Sequence, residues 1–357
     1  MKITEHIVNI RKHLIENNLD AMLIVNEYNR RYATGFPSTA GELLVTRESA
    51  WFFTDMRYFE AAEKKISSAK VCLLERYDGY LSDLNDLLTE AKIAKLGFEQ
   101  KTLTVDRYER YKKALKTELV PAQYITEKAR RVKDEEELSI MKKAQGVAEK
   151  AFTQLLGRIS MDMTERELAG ELFQLMIQNG AEDKSFDIIA VSGENSSVPH
   201  GEPGDEKLRQ GFLTIDFGVK VDGYCSDCTR TICFGKPSEE MRTVYDTVLN
   251  AQLAGIGAAR AGVTGQELDG AARNVIKEAG YGKYFGHAFG HSLGLEIHEA
   301  PSASPGNQEP IPKGTVISAE PGIYIPGKFG VRIEDVLYIT EDGCENLTNL
   351  QKELLIL

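Results

Sequence analysis

Apolar and polar residues alternate along the first 125 or so positions in short segments that predict helices and strands in turn. Apolar residues spaced three or four apart predict helices, and short apolar runs predict buried strands. The predicted helices span residues 5–18, 57–65, 80–91 and 105–116. The predicted strands span residues 19–25, 42–45, 51–54, 70–74 and 93–98. This order predicts an α/β domain with a mixed sheet.

A basic, polar stretch at residues 127–133 marks the expected domain boundary. Asp134 follows it as an expected N-cap, with Glu137 three residues later as the capping-box partner. A long helix should then run to about Leu156. Because 357 residues exceed one ordinary hydrophobic core, we expect an N-terminal domain of residues 1–127 and a second domain of residues 128–357.

The second domain contains an internal repeat with an offset of 100 residues. Thr164-Glu-Arg-Glu-Leu-Ala-Gly recurs as Thr264-Gly-Gln-Glu-Leu-Asp-Gly. Each copy has a Thr-x-x-Glu capping box that opens an amphipathic helix. Such boxes are common by chance, but matching glycines and a downstream pair of carboxylates in each copy favour a duplicated unit. Two related halves facing each other would bring both carboxylate pairs to one central cleft.

The first carboxylate pair, Asp216 and Asp227, lies on a predicted β-hairpin. The Asp-Gly dipeptide at 222–223 lies between alternating segments, which is a strong signal for a two-residue turn. With that turn, Asp216 pairs with Thr229 and Gly218 with Asp227. The two aspartates are then diagonal neighbours on one face, with Cβ atoms about 7–8 Å apart, and Gly218 leaves the gap between them open. Like charges so placed repel unless a cation lies between them, so the hairpin predicts a cation site.

The second carboxylate pair consists of Glu320, at the end of an apolar strand, and Glu334, on a predicted strand over residues 330–338 that also carries Arg332 on the same face. Four histidines lie in the same domain, at His200, His287, His291 and His298. The glycines of residues 286–294 disfavour a helix, and an extended segment turns only some imidazoles towards one ion. We therefore expect one histidine ligand there. Four carboxylates with one imidazole suit Mn²⁺, Co²⁺, Fe²⁺ or a catalytic Zn²⁺.

Charge and composition exclude several classes of partner. A formal net charge of −11 argues against nucleic acid and anionic membranes. No apolar run approaches the length of a membrane span, and the charged residues 1–7 lack the apolar core of a signal peptide. Five sparse cysteines fit a reducing cytoplasm. The Cys225-Ser-Asp-Cys228 spacing lies in a strand-like stretch, which favours simple packing over redox chemistry.

The motifs of the second domain resemble those of the creatinase-like metallopeptidases with the pita-bread fold, which include prolidase, aminopeptidase P and, more distantly, methionine aminopeptidase. The matching segments are Ile215-Asp216-Phe-Gly, Ser226-Asp227, Gly290-His291-Ser-Leu-Gly-Leu-Glu-Ile-His298-Glu, Glu320-Pro-Gly-Ile-Tyr and Arg332-Ile-Glu334-Asp. The resemblance covers essentially the whole chain. It implies a creatinase-like α/β N-terminal domain with a mixed sheet, followed by an α+β pita-bread catalytic domain built from two pseudo-repeats.

The resemblance also implies two divalent ions per subunit, with Mn²⁺ favoured over Co²⁺, Zn²⁺ or Fe²⁺. Asp216 would chelate one ion, and His291 and Glu320 the other. Asp227 and Glu334 would bridge both ions. All five positions carry the residue type that the family uses, in the same order.

Further residues receive roles from the same resemblance. A water activated by the ions would attack the scissile carbonyl, whose oxygen would be polarised by a metal and by His298 or His200. Glu320 would hand a proton to the leaving nitrogen. His287 would lie near the substrate, and Arg332 would orient Glu334 and keep it ionised.

The implied reaction is hydrolysis of Xaa-Pro bonds in short peptides by a cytoplasmic homodimer. An Xaa-Pro dipeptidase (prolidase) is favoured, because the chain is short for a classical aminopeptidase P. The alternative, an Xaa-Pro aminopeptidase that acts on longer peptides, stays open because Ala288 stands where some prolidases have an arginine. The complete ligand set argues against a creatine-hydrolysing enzyme and a non-catalytic binding module. The additional N-terminal domain argues against methionine aminopeptidase.

Overall fold

The computed structural model describes residues 3–74 and 80–357, and the chain divides into two compact units, Met1–Arg130 and Arg131–Leu357. The helices of the first unit are α1 (Ile3–Glu16), α2 (Glu27–Thr34), α3 (Phe59–Lys65), α4 (Tyr80–Glu90), α5 (Val105–Ala114) and α6 (Gln123–Arg131), which ends at the division. Its strands are β1 (Ala21–Ile24), β2 (Glu42–Thr46), β3 (Ala50–Thr54), β4 (Lys70–Leu73), β5 (Lys95–Phe98) and β6 (Glu118–Pro121). The limits predicted from the sequence, 1–127 and 128–357, stay a prediction, and the first of them falls inside α6.

Within the described residues of the first unit, the strands form one six-stranded sheet in the order β4-β3-β2-β1-β5-β6. Strand β1 is antiparallel to β2 and parallel to β5, which confirms the predicted mixed sheet. Helix α2 is absent from the sequence prediction. Its start is fixed by Asn26, whose side chain accepts from two backbone N–H groups, and its end by Gly35 in the left-handed conformation. Local capping therefore defines a helix that its polar composition hides.

The second unit contains the long helices and most of the strands. Its helices are α7 (Glu135–Leu156), α8 (Glu165–Gln178), α9 (Glu239–Ala258) and α10 (Gly265–Glu278). Its strands are β7 (Asp183–Lys184), β8 (Ile189–Ser192), β9 (Gly211–Phe217), β10 (Val219–Val221), β11 (Tyr224–Cys225), β12 (Cys228–Phe234), β13 (Gly290–Ser292), β14 (Glu299–Ala303), β15 (Val316–Ala319), β16 (Gly322–Ile325), β17 (Phe329–Arg332), β18 (Asp335–Ile339) and β19 (Cys344–Asn346).

The predicted duplication of the second unit is confirmed. Helices α8 and α10 have the same length of 14 residues, and Thr164 and Thr264 each form a complete capping box. The residue that caps each helix also forms an isolated β-bridge, Thr164 with Lys207 and Thr264 with Pro310. In the first half, α7 and α8 accompany the sheet β12-β9-β8, and in the second half α9 and α10 accompany the sheet β14-β13-β15-β18-β19.

Each half supplies most of one of two hydrophobic cores, and Phe212 and Cys233 of the first half also pack into the core of the second. In the first half, the ring of Phe152 on α7 stacks on that of Phe217 at the end of β9, with centroids 5.1 Å apart. In the second half, the buried ring of Phe289 lies against Gly255 on α9, where an added Cβ would be 2.2 Å from the ring. Burying one such side chain stabilises a fold by about 1.5–3 kcal/mol, so both cores rigidly support the strands that carry the candidate ligands.

None of the helices in the described ranges is long and apolar enough to cross a membrane. All five cysteines are free thiols. Burial raises the pKa of Cys225 to about 11, so this thiol is protonated at neutral pH, as the packing interpretation predicts.

Candidate active site

The β9–β12 hairpin has the register that the sequence predicts. Asp216 pairs with Thr229, and the turn residues Asp222 and Gly223 have φ angles of +47° and +79°. Two positive φ angles in succession are typical of the type I′ turn, which matches the twist of a hairpin. Asp216 lies on β9, and Asp227 lies in the irregular segment between β11 and β12.

Gly218 has a different role from the predicted one. A Cβ at this position would lie 2.0 Å from the carbonyl oxygen of Ser226. The Ser226 N–H donates to the carbonyl of Val219 (2.9 Å), and the Val219 N–H donates to Ser226 Oγ (2.9 Å). Glycine is therefore required because two backbone segments meet beside Asp227, not because a gap must stay open between two carboxylates.

The second half supplies three further candidate ligands. His291 lies on β13, Glu320 directly follows β15, and Glu334 lies between β17 and β18. The predicted continuous strand over residues 330–338 is wrong, because the chain leaves the strand conformation at Ile333 and Glu334. The Glu334 N–H instead donates to the carbonyl of Thr229, at 3.1 Å. The backbone of this glutamate is thus fixed to the hairpin of the first half.

These side chains converge on one point. Ligand atoms of Asp227, His291 and Glu334 all lie within 4.8 Å of one another. His291 Nε2 lies 3.5 Å from Asp227 Oδ2 and 3.4 Å from Glu320 Oε1. His291 Nδ1 lies 3.2 Å from the carbonyl oxygen of Ser292. With the proton on Nδ1, the lone pair of Nε2 points towards the carboxylates, as a histidine ligand requires.

The buried carboxylates lack the partners that their charges require. Among the described residues, Asp216 Oδ1 and Glu334 Oε1 are buried oxygens without a hydrogen-bond partner, an arrangement that is costly and rare in proteins. Burial, followed by repulsion from neighbouring carboxylates, raises the pKa of both Asp227 and Glu334 well above its usual range. Divalent cations would remove both costs, and an oxygen-rich donor set with one imidazole suits such ions. The residues therefore fit a metal centre.

Arg332 donates hydrogen bonds to one of these carboxylates and to two side chains beside them. Its Nη2 donates to Asp216 Oδ2 (2.7 Å), its Nη1 to Tyr324 Oη (2.7 Å) and its Nε to Thr229 Oγ1 (3.0 Å). Thr229 Oγ1 in turn donates to Glu334 Oε2, at 2.7 Å. The predicted role of Arg332, to orient Glu334 and keep it ionised, stays a prediction: the guanidinium pairs directly with Asp216, reaches Glu334 through Thr229, and opposes the rise that burial causes in the pKa of Glu334.

Tyr324 is a functional candidate that the sequence interpretation missed, although it ends the Glu-Pro-Gly-Ile-Tyr segment. Its hydroxyl lies 3.0 Å from His287 Nε2, and His287 Nδ1 lies 2.8 Å from the carbonyl of Ala288. Burial raises the pKa of Tyr324 to about 12 and lowers that of His287 to about 4. At neutral pH, the protonated phenol therefore donates to a neutral imidazole whose Nδ1–H donates to the backbone.

Glu320 has an environment suited to proton exchange. Its Oε1 accepts a hydrogen bond from Ser318 Oγ (3.1 Å), and its backbone N–H donates to the carbonyl of Phe289 (2.8 Å). Burial raises the pKa of Glu320 to about 7. In the absence of a cation this carboxyl group therefore exchanges its proton near neutral pH.

A cavity of about 780 Å³ opens onto the carboxylates and onto three histidines, His200, His287 and His298. The His298 ring lies 4.4 Å from the His291 ring, centroid to centroid. Burial, with the nearby imidazoles, lowers the pKa of His298, which keeps it neutral at pH 7. His200 is exposed in the connection between β8 and β9. The structure thus brings every site residue predicted from the sequence to one cavity.

Two family models match this chain. The model of metallopeptidase family M24 matches residues 139–341. The model of the creatinase/prolidase N-terminal domain matches residues 7–132. Metallopeptidases of the first family use divalent metal ions in a dinuclear site.

Individual proteins are similar over the whole length. The Xaa-Pro dipeptidase of Pyrococcus horikoshii is 37% identical over 355 residues, which cover 99% of each chain. The structure of an Xaa-Pro dipeptidase from Bacillus anthracis superposes with a TM-score of 0.96 and 41% identity over 100% of both chains. An X-Pro aminopeptidase from Thermotoga maritima superposes with a TM-score of 0.90 and 35% identity, over 97% of this chain and 100% of that one.

Proposed function

The chain belongs to metallopeptidase family M24, and on that premise we propose that it is an Xaa-Pro dipeptidase that hydrolyses the bond before proline in short peptides. The observation that carries the proposal is the meeting of four carboxylates and His291 around buried oxygens that have no hydrogen-bond partner within the described ranges. The resemblance to the dipeptidases of Pyrococcus and Bacillus supports the substrate class.

The proposed metal centre takes ligands from both halves. Asp216 would hold one ion, His291 and Glu320 the other, and Asp227 and Glu334 both. Divalent ions bound there supply a water of lowered pKa as the nucleophile, and positive charge for the carbonyl oxygen under attack. Mn²⁺ is the first candidate, because oxygen-rich sites with one imidazole suit it.

The protein's own groups move the proton and position the substrate. Glu320 accepts a proton at a carboxylate oxygen and passes it to the proline nitrogen, a role that its place in the wall of the cavity allows. His298 and His200 line the cavity and donate hydrogen bonds to the oxyanion. His287 is kept neutral by burial, lies within hydrogen-bond distance of the Tyr324 hydroxyl and forms part of the substrate-binding wall.

An Xaa-Pro aminopeptidase is the second candidate, and one observation favours it. A dipeptidase needs a cation for the free carboxylate of the terminal proline. In the described part of the chain, the arginines that line the cavity are Arg166 and Arg332. Arg332 is buried and paired with Asp216, and Arg166 is exposed and paired with Asp205. A substrate whose chain continues beyond proline has no free carboxylate on that proline. Its binding would therefore not require Arg166 or Arg332 to leave its ion pair.

A comparison of substrates after controlled metal loading tests both candidates. Removal of metal, verified by elemental analysis, should abolish hydrolysis, and added Mn²⁺ or Co²⁺ should restore it. Full activity without metal would overturn the mechanism. With metal restored, we expect a higher kcat/KM for Xaa-Pro dipeptides than for Xaa-Pro-Yaa tripeptides, and a clear preference for tripeptides would establish the aminopeptidase instead. The homodimer and the cytoplasmic location stay predictions, to be tested by light scattering and by cell fractionation.

A further inference from the structure

One buried carboxylate outside the metal centre is tied to the wall of the cavity. Glu165 is the first residue of α8 and is only 3% exposed. The capping box of this helix uses Thr164 and Glu167, so the cap does not account for the burial of Glu165. A buried carboxylate is tolerated only where donors satisfy its oxygens.

Glu165 accepts four hydrogen bonds, all of them from one loop or from Ser192, the residue that precedes it. Oε1 accepts from the backbone N–H of Ser192 (2.6 Å) and from Ser192 Oγ (3.1 Å). Oε2 accepts from Asn195 Nδ2 (2.8 Å) and from the backbone N–H of Gly204 (3.1 Å). Residues 193–204, here called the His200 loop, are thus held at both ends by a single side chain.

The His200 loop forms part of the active-site cavity, which residues 199–203 line. The segment before His200 has two further attachments: Arg332 Nη1 donates to the carbonyl of Pro199 (3.1 Å), and the Gly330 N–H donates to Ser196 Oγ (3.0 Å). The segment after His200 returns to the start of α8, where the Arg166 N–H donates to the carbonyl of Gly204 (3.0 Å). Glu165 therefore also binds the segment after His200, whereas Arg332 binds the segment before it.

The second half of the unit uses the repeated helix for the same purpose. Asp269, on the second turn of α10 and 1% exposed, accepts a hydrogen bond from the Phe289 N–H (2.9 Å). Asp269 also pairs with Arg273, whose Nη2 donates to the carbonyl of His287 (2.6 Å). In both halves, a buried acid near the start of the repeated helix is bonded to the segment that brings a histidine to the cavity.

We propose that Glu165 is a positioning residue that holds the His200 loop against the cavity and so sets the position of the His200 imidazole. The inference rests on the proposed function for its catalytic consequence only. The holding of the loop is a property of the fold and can be measured without any substrate.

The first measurement is hydrogen–deuterium exchange of the metal-loaded protein. Glu165→Gln keeps the size of the side chain but places an amide NH2 group, which cannot accept hydrogen bonds, opposite donors of the loop. Because the loop is then held less firmly, hydrogen exchange in residues 193–204 should become faster. Glu167→Gln is the matched control, because it weakens the cap of the same helix through an exposed residue. Asn195→Ala removes one of the four bonds from the loop side and should give the same local change, to a smaller extent. Unchanged exchange of the loop in Glu165→Gln and Asn195→Ala would overturn the proposal.

The second measurement is a double-mutant cycle on kcat and KM with Xaa-Pro substrates. Glu165→Gln should lower kcat by about 10-fold or more, as loss of a supporting partner does, while the affinity for Mn²⁺ stays that of the wild type. In the His200→Ala background the same change should have little further effect on kcat. Fully additive losses would show that Glu165 does not act through His200. A wild type without Xaa-Pro activity would refute the proposed function alone, because the exchange result would still test the loop.

Discussion

The two halves of the catalytic unit share the same capped helix, α8 in the first and α10 in the second, but the first residue of that helix contacts a different element in each half. In the first half, the residue after the cap is Glu165, whose long side chain reaches the His200 loop. In the second half, the equivalent residue is Gly265, where an added Cβ would lie 2.2 Å from the carbonyl oxygen of Ser302. The helix start of the second half therefore lies directly against strand β14. The duplicated helix is the same, but its first residue contacts a loop in the first half and a strand in the second.

The candidate metal ligands also come from different kinds of element in the two halves. The first half presents Asp216 on a regular strand and Asp227 beside it, whereas the second half presents Glu320 and Glu334 where strands end. The longer glutamate side chains extend from strand ends to the point that the shorter aspartates reach from the hairpin. Asp227 and Glu334, one from each half, both have a raised pKa because they are buried together. We infer that cations hold the two halves together at this point.

The largest expected effect comes from removing a shared ligand from either half. Asp227→Asn and Glu334→Gln should each lower Mn²⁺ affinity and kcat/KM more than about 100-fold, because loss of a mere supporting partner already costs about 10–100-fold. Asp222→Asn is the control, since this exposed carboxylate lies in the turn of the same hairpin and asparagine suits that turn. Calorimetric titration with Mn²⁺ measures the affinities. A large loss in one variant only would mean that the two halves do not share the ions equally.

The next effect tests the close contact at the start of α10. Gly265→Ala should destabilise the protein by about 1–3 kcal/mol, because the new methyl group must displace the backbone of Ser302. Gly270→Ala is the matched control on the same helix: nothing lies within 4 Å of its added Cβ, so it should stabilise by about 0.5–1 kcal/mol. Urea unfolding measures both. Equal effects at the two positions would show that strand β14 can move away without cost.

A smaller effect is expected at the hydrogen bond that supports Glu334. Thr229→Val removes the donor to Glu334 Oε2 and the acceptor for Arg332 Nε, and should weaken Mn²⁺ binding about 10-fold. Thr231→Val, on the same strand, removes two hydrogen bonds with the backbone of Arg332 and one with Thr214 Oγ1, but none to a carboxylate. It should destabilise the protein without a comparable loss of metal affinity. Wild-type Mn²⁺ affinity in both variants would show that the hydrogen bond from Thr229 does not support Glu334 as a ligand.

A further effect concerns the pH dependence of the metal-free protein. Burial raises the pKa of Glu320 from 4.5 to about 7. A pKa raised by folding contributes stability that is complete below the unfolded value and is lost as the pH rises through the folded value. Between about pH 5 and pH 7.5, the melting temperature of the metal-free wild type should therefore fall relative to that of Glu320→Gln, by about 2–4 °C for each kcal/mol lost. A difference that stays constant over this range would contradict the raised pKa.

Features that depend on local chemistry could be predicted from the sequence. The Asp-Gly turn alone determines which residues of the hairpin pair, so Asp216 was correctly placed opposite Thr229. The capping boxes at Asp134, Thr164 and Thr264 likewise predict where three helices begin. In each case the signal lies within a few residues of the feature, and the surrounding fold does not override it.

Features that depend on contacts across the fold could not be predicted in the same way. The alternation of residues 330–338 predicts one strand, but the bond from the Glu334 N–H to Thr229 interrupts it. The sequence places Arg332 and Glu334 on one predicted face, but it does not indicate that the direct partner of Arg332 is Asp216, more than a hundred residues away. Glu165 carries no sequence signal, since its partners lie 27 to 39 residues further along the chain.

The number of metal ions per chain tests the central claim most directly. Protein freed of metal, then saturated with Mn²⁺ and separated from unbound ions, should contain two Mn²⁺ per chain by elemental analysis, as a two-metal site requires. Asp222→Asn should retain both ions, and Asp227→Asn should fall below two. A wild type that binds one ion or none at saturation would contradict a dinuclear centre shared between the two halves.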